Sequence, residues 1–530
     1  MLRIPFEKWS KSKNINITVM KNWKILIAVM LCSLSFSALQ AQDSLKNVAL
    51  TFEKALEMTL QNSHVIKQSQ YQVQEKDQAL KATRGLYLPK VGIMANYVRM
   101  SDDLTLDLTP VKDAITPLYT TLSKYGNFSG VPNPNPATST VMPILPESYS
   151  TAGVREKLAA GLQSLDAANW NQMIQKKQFA TLAANAQWPI YAGGKVRIAN
   201  KVASIEKREA EGVTVQKQGE ITSELVERYF GLCLAKQAVN VRQDVLFGVS
   251  KHLNDAEKLE KDGMIATAEV LQAKLYYANA DREYKKAKRN VGIINQALSN
   301  TLALEKDTTI NPTTELFYLD SIEPLEYFKK SALDKNPSLK QVDDKKELVE
   351  QNYKAQISNY LPTLATMGTY NLWNKDLSTY TPDWMVGVSL NYTLFDGVAR
   401  YRKVKAASYK TDQVEEVKQK VQSDLSTVVE KLYNELNINL EQLQALEASM
   451  SFADELVRVR DKAFHEEMSN STEVVDAQLA LAQVRIERLQ AMYNYDLCLA
   501  RLLQYAGIPE QFSAYKQRPL AKTESYKAIK

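Results

Sequence analysis

The chain repeats itself in register. PIYAGGKVRIANKVAS from Pro189 returns as TLFDGVARYRKVKAAS from Thr393, and TAEVLQAKL from Thr267 returns as STEVVDAQL from Ser471. Both pairs are 204 positions apart, matching Gly193 with Gly397 and Glu269 with Glu473. Upstream, ALEMTLQNSHVIKQSQYQV from Ala55 resembles SALDKNPSLKQVDDKKELV from Ser331, and GLYLPKVGIMANY from Gly85 resembles NYLPTLATMGTYN from Asn359. There Pro89 matches Pro362, 273 positions on, so the first half carries about 69 extra residues before Gly193. A fixed-register duplication means two copies of one supersecondary plan, which excludes most single-core folds of this length.

Between the markers 204 apart the pattern is helical. Leu225, Leu232, Val239, Leu246 and Leu253 fall seven apart, as do Val429, Leu436, Leu443, Met450 and Val457, and proline breaks neither run. Such a sustained period predicts helices packed as coiled coils. From Lys195 to about Asp262 one helix would span roughly 100 Å at 1.5 Å per residue. KDGMIAT and EEMSNST then turn the chain back into shorter helices, about 267–302 and 471–506. Taken alone, these helices also fit a plain coiled-coil rod.

The strands argue against a rod. Leu182, Ala184, Ala186, Trp188 and Ile190 alternate with small or polar residues, as do Trp384, Val386, Val388, Leu390, Tyr392 and Leu394. Val91, Ile93, Ala95 and Tyr97 alternate likewise, and a weaker version runs from Leu364 to Tyr370. Segments of about ten residues with one apolar, aromatic-ended face match strands of a transmembrane barrel with lipid outside and water inside. Trp188, Trp384, Val386, Val388 and Leu390 are expected to face lipid, and Asn185, Gln187, Ser389 and Asn391 the lumen. The insert, about 99–180, holds the Pro/Asn/Ser-rich GNFSGVPNPNPATSTVMPILP and then a helix-like stretch from Arg155 to about Phe179.

Charge and leader point the same way. From Met20 the chain reads MKNWKILIAVMLCSLSFSALQAQDS, a basic start, a dozen apolar residues and small residues before Gln42. That is a secretory signal peptide, too short for a good spanning helix. Residues 1–41 carry +5 of the chain's +6, which leaves a near-neutral body poorly suited to nucleic acid. Past the signal no run of 18 apolar residues occurs, so a membrane would be entered as a β-barrel.

Catalytic chemistry is not legible. His64, His252 and His465 lie far apart along the chain with no HExxH spacing, and each reads as a surface or packing residue. AGGK at 192–195 lacks the first glycine and the final Ser/Thr of a phosphate loop, so Gly193 reads as a strand-to-helix turn. Cys233 and Cys498, the cysteines past the signal, read as two buried free thiols, with a disulfide between them left as the alternative. No cofactor or metal is expected.

The duplicated order of short helix, LP-led strand, strand ending in an aromatic-x-G turn, very long helix, tip turn and returning helix resembles the TolC outer-membrane efflux family over about 50–508. The resemblance implies a mixed α and β protomer whose four transmembrane strands join a trimeric twelve-stranded barrel, with coiled-coil helices forming a periplasmic α-barrel. It divides the chain into an N-terminal extension and signal (1–41), a first repeat (42–302), an equatorial linker (303–326), a second repeat (327–508) and a tail (509–530). It implies an outer-membrane exit duct for efflux or type I secretion, a homotrimer, a periplasmic adaptor and an inner-membrane pump. The alternative left open is a structural coiled-coil protein of the envelope that transports nothing. By the same resemblance the adaptor would meet the tips at Gly263, Met264, Met468 and Ser469, although Glu467 stands where a tip glycine is usual. Glu473 and Asp476 would line a periplasmic gate, their i,i+3 spacing setting both acids on one helix face. Phe464 and Ser469 stand at the family's latch tyrosine and latch arginine.

Overall fold

Where a strand ends and a long helix must begin, the backbone turns through the left-handed region. Gly193 lies at φ 61°, and a Cβ there would stand 2.9 Å from the Ser358 carbonyl oxygen, so the turn needs glycine. Gly397 makes the matching turn of the second repeat at φ 66°. The computed structural model describes residues 47–128, 147–305, 308–466, 468–524 and 526. The signal peptide, most of the Pro/Asn/Ser-rich loop and Glu467 lie outside the described residues.

The chain divides into two units. The first comprises the described residues of 47–80, 201–352 and 406–526. It contains strand β1 (Asn47–Leu50), helix α1 (Phe52–Asn62) and most of α2 (His64–Arg84). The long helix α5 (Lys195–Lys261) returns as α6 (Thr267–Thr301), and α9 (Ala399–His465) returns as α10 (Ser471–Tyr505), close to the expected limits. Between the hairpins come β6 (Thr309–Pro312), β7 (Leu316–Tyr318), α7 (Leu325–Lys335) and α8 (Pro337–Ser358).

The core of this unit is aromatic. Phe52, Tyr229, Phe230, Phe317 and Phe512 are fully buried, with Phe230 against Phe52 at 5.5 Å and against Phe512 at 5.9 Å. Tyr229 donates its hydroxyl to the Leu50 carbonyl at 2.6 Å and accepts from the Thr314 amide at 3.1 Å, so burial leaves neither backbone group unpaired. β1 pairs in parallel with β6. The described residues beyond 509 are built into this core: α11 (Phe512–Lys516) buries Phe512 and Tyr515, and β10 (Lys522–Glu524) pairs antiparallel with β7.

The buried stripe departs from a strict seven-residue period on α5. Leu225 and Leu232 are buried, but farther along Val241, Val245, Val249, His252 and Ala256 take over, and Val239, Leu246 and Leu253 are only half-buried. On α9 the heptad holds only as far as Leu443: Val429, Leu436 and Leu443 are buried, interleaved with Leu425, Leu432 and Leu446, whereas Met450 and Val457 are half-buried and Ala453 is buried in their place.

The second unit comprises Lys81–Asn200 and Tyr353–Lys405. Its sheet is ordered β2 (Lys90–Arg99), β5 (Gln178–Tyr191), β8 (Thr363–Lys375), β9 (Trp384–Asn391), antiparallel throughout. The insert adds a ribbon of β3 (Leu104–Asp107) with β4 (Asn171–Gln175), and the helices α3 (Thr109–Tyr125) and α4 (Glu147–Ala167). The helix expected to run to about Phe179 ends at Ala167: Trp170 turns back to donate to the Leu165 carbonyl, and residues 171–175 pair as a strand.

Candidate functional site

The sheet brings the apolar rows of all four strands onto one face. Residues directly opposite in a ladder point the same way. The register sets Val91, Ile93 and Ala95 of β2 opposite Ala186, Ala184 and Leu182 of β5. It sets Ala186 opposite Gly368 and Trp188 opposite Thr366 of β8, which face Val386 and Val388 of β9. Tyr370 meets Trp384, and Leu364 meets Leu390. A shift between Leu182 and Ala183 keeps Trp373 on this face beyond the bulge. Val91, Ile93, Val386, Val388 and Leu390 are 67–73% exposed, more than large apolar groups normally are in contact with water. Aromatic residues bound the face at each end: Tyr97, Trp373 and Trp384 at one, Trp188 and Tyr392 at the other. The opposite face carries Asn96, Asn185, Gln187, Thr369, Ser389 and Asn391, with Thr369 donating to Asn185 at 3.0 Å, and it also holds Met94, Met367 and Met385. Among the described residues β2 pairs only with β5, and β9 only with β8, so both outer strands present backbone groups unpaired by them.

The first unit places the other candidate residues at the helix turns. Gly263 adopts φ 78° between α5 and α6, and Met264 and Met468 are exposed. Glu473 is not a bare carboxylate. Its Oε2 accepts from Arg460 Nη1 at 2.6 Å and from Ser469 Oγ at 2.7 Å, and its amide donates to the Asn470 side chain as an N-cap. Asp476 is exposed on the same helix. From the first repeat, Glu269 accepts from Ser471 Oγ at 3.3 Å and Gln272 donates to Thr472 Oγ1 at 2.7 Å, tying the starts of α6 and α10 together.

Sequence reasoning missed three features of these turns. Arg460 meets Glu473 across the turn, thirteen positions apart, a spacing that no helical period marks. Phe464 carries no hydroxyl and is buried against the ring of His252. His252 and His465, far apart along the chain, line one cavity. Among the described residues no cluster of His, Cys, Asp or Glu is arranged to hold a metal, and no helix is long and apolar enough to cross a membrane. Cys233 and Cys498 are free thiols, the first buried and the second half-buried.

Comparison with known proteins agrees with this geometry. Residues 329–508 match the family described as outer membrane efflux protein. The alkaline protease secretion protein AprF of Pseudomonas aeruginosa is 24% identical over 211 residues, 38% of this chain and 43% of that protein. The match thus spans less than half of that relative. A membrane protein from Pseudomonas aeruginosa superposes with a TM-score of 0.64 at 12% identity, covering 86% of this chain and 90% of the other. The Campylobacter jejuni CmeC outer membrane channel superposes at 0.63 and 13% identity, covering 86% of each chain.

Proposed function

From the match of residues 329–508 to the outer membrane efflux protein family, we propose that this chain is an outer-membrane exit duct that copies of the chain close together. The observation that carries the reading is the open four-stranded sheet with an exposed apolar face bounded by aromatics. Unpaired strand edges are not tolerated in hydrocarbon, so a sheet with such a face must be closed by further strands. Three copies would supply twelve. A non-transporting coiled-coil rod gives no reason for such a face, which sets the rod reading aside.

The duct would carry substrates handed over by an inner-membrane pump and a periplasmic adaptor, the adaptor meeting the turns at Gly263, Met264, Met468 and Ser469. Efflux and secretion are both compatible with this role: one relative is named for protein secretion and CmeC is named a channel. The chain performs no reaction of its own in this reading. Asp476 supplies the exposed acid of the gate and Glu473 the tethered one. Removing Arg460 should therefore free Glu473 and strengthen block of the channel by multivalent cations, whereas Glu473→Ala/Asp476→Ala should relieve it.

The test is reconstitution. Purified protein in planar bilayers is expected to conduct as a detergent-resistant oligomer. Val388→Arg should impair assembly far more than Ser389→Arg, since a charge on the lipid face at mid-membrane costs about 2–4 kcal/mol. A monomer without conductance, or equal tolerance of the two arginines, would contradict the reading.

A further inference from the structure

Where the two helical hairpins meet, α5, α9 and α10 line a cavity of about 370 Å³. His252 of α5 lies in its wall, only 5% exposed, with no hydrogen-bond partner on Nε2. Its ring packs tilted by 58° against Phe464 of α9, centroids 4.5 Å apart. One turn earlier, Gly248 makes room for Gln478 of α10: a Cβ there would stand 2.9 Å from Gln478 Oε1, which also lacks a partner. Two unpartnered polar atoms therefore line one small space on the contact between hairpins, where a core needing only cohesion would carry aliphatic groups.

The charged surroundings of His252 are mixed. Asp244, Lys251 and Asp255 line the cavity from α5, Asp454, Arg458, Asp461 and His465 from α9, and Arg485 from α10. Arg485 is engaged with Asp454 at 2.9 Å, Lys258 with Asp255 at 3.3 Å, and Tyr526 with Asp244. His465 Nε2 stands 3.9 Å from Asp255. Burial pushes the His252 imidazole below its ordinary range. Asp255, Asp461 and Glu269 of α6 pull the other way and His465 adds to the depression, but desolvation wins.

We propose that His252 is a proton-operated wedge in the seam between the hairpins, neutral while α9 lies against α5 and protonated when the helices part. The sign follows from linkage. In the packed seam the charged form is disfavoured; in a parted, hydrated seam the group returns toward its ordinary value near 6.5. The parted state thus binds the proton more tightly, and acidification through the interval below that value favours it. Each pKa unit regained on parting multiplies the parted-to-packed ratio by about ten. The link from a parted seam to a more open channel rests on the exit-duct reading; the seam's response to protons does not.

Spin labels at Lys258→Cys on α5 and Lys462→Cys on α9, both well exposed, read the seam in the full-length assembled protein. Between about pH 7.5 and about pH 5.5 the inter-label distances should lengthen and the bilayer current should rise several-fold. His252→Gln should abolish both responses, and His465→Asn should leave them in place. Labels that do not move over this interval, in protein whose His252 is intact, would overturn the proposal whether or not the glutamine variant folds. A full response surviving in His252→Gln would also overturn it. A His252-dependent movement of the labels without current at any pH would uphold the wedge and count against the duct.

Discussion

Helices α5 and α9 have the same length, 67 residues, and occupy the same place in a duplicated plan, yet α5 buries twenty of its residues and α9 nine. The returning helices reverse the order: α10 buries fifteen and α6 five. Within one protomer α5 and α10 are therefore the inner pair, and α6 and α9 are half-finished. The helical wheel shows what is missing. Opposite its buried heptads, α9 exposes Ile438, Ala445, Phe452, Leu456 and Val459 along one stripe, flanked by the acids Glu441 and Glu455. Opposite its own buried residues, α6 exposes Leu271, Leu275 and Ile293 in line with Arg282, Lys286 and Arg289. Two apolar stripes of opposite charge, both bare, are what neighbouring copies would cover. Duplication supplied two equal hairpins, and packing made them unequal.

The comparison breaks most sharply at its aromatic residues. Phe230→Ala on α5 should cost about 3–5 kcal/mol of protomer stability, because it empties the buried core. Phe452→Ala on α9, 75% exposed, should leave protomer folding within about 0.5 kcal/mol and instead lower the heat resistance of the oligomer. Denaturant melts of the dispersed chain and gel mobility of the unheated complex separate the two. Similar protomer losses for both would erase the distinction.

A second contrast is buried on α10. Asp496 is fully enclosed: Oδ2 accepts from the Phe317 amide at 3.4 Å, while Oδ1 has no partner. Burial raises its carboxyl well above the ordinary range, the Phe317 amide and Lys516 opposing weakly. The native state then holds a proton that the unfolded chain releases near pH 4, so stability is lost as pH rises above that value. Asp496→Asn should raise the unfolding midpoint at neutral pH and flatten its pH dependence; an unchanged slope would show that another group carries it.

The smallest effect belongs to the charged stripe. Reversing Arg282, Lys286 and Arg289 together should weaken the oligomer at low salt by up to about 1 kcal/mol per exposed pair, and high salt should hide the loss. Salt-independent weakening would mean that the bases serve another contact.

Much of this fold was legible because its signals are local. Unbroken helical runs ending at KDGMIAT and EEMSNST located three of the four long helices to within about a residue and the end of the fourth, and period-2 alternation found the four strands of the sheet. The β3–β4 ribbon was not legible, since Asn171–Gln175 lacks alternation and follows a helical run directly. Nor was the meeting of His252 with Phe464. The sequence offset between repeats is 204, but this contact spans 212 positions, so α5 and α9 are offset by about two turns where these two rings meet. Stagger is set by how side chains interlock between helices, which a heptad count does not report. The same limit hid Arg460 from Glu473, and left the shared acidic gate a reading by resemblance.

The central claim is that one copy's sheet is unfinished and others complete it. Cysteine at Asn96 on β2, combined in turn with Gly387→Cys, Ser389→Cys or Asn391→Cys on β9, places thiols on the same face of the two free edges. Oxidation in intact cells should link at least one combination into a covalent trimer that reduction dissolves. Monomers alone from every combination, in protein that has reached the outer membrane, would contradict the account.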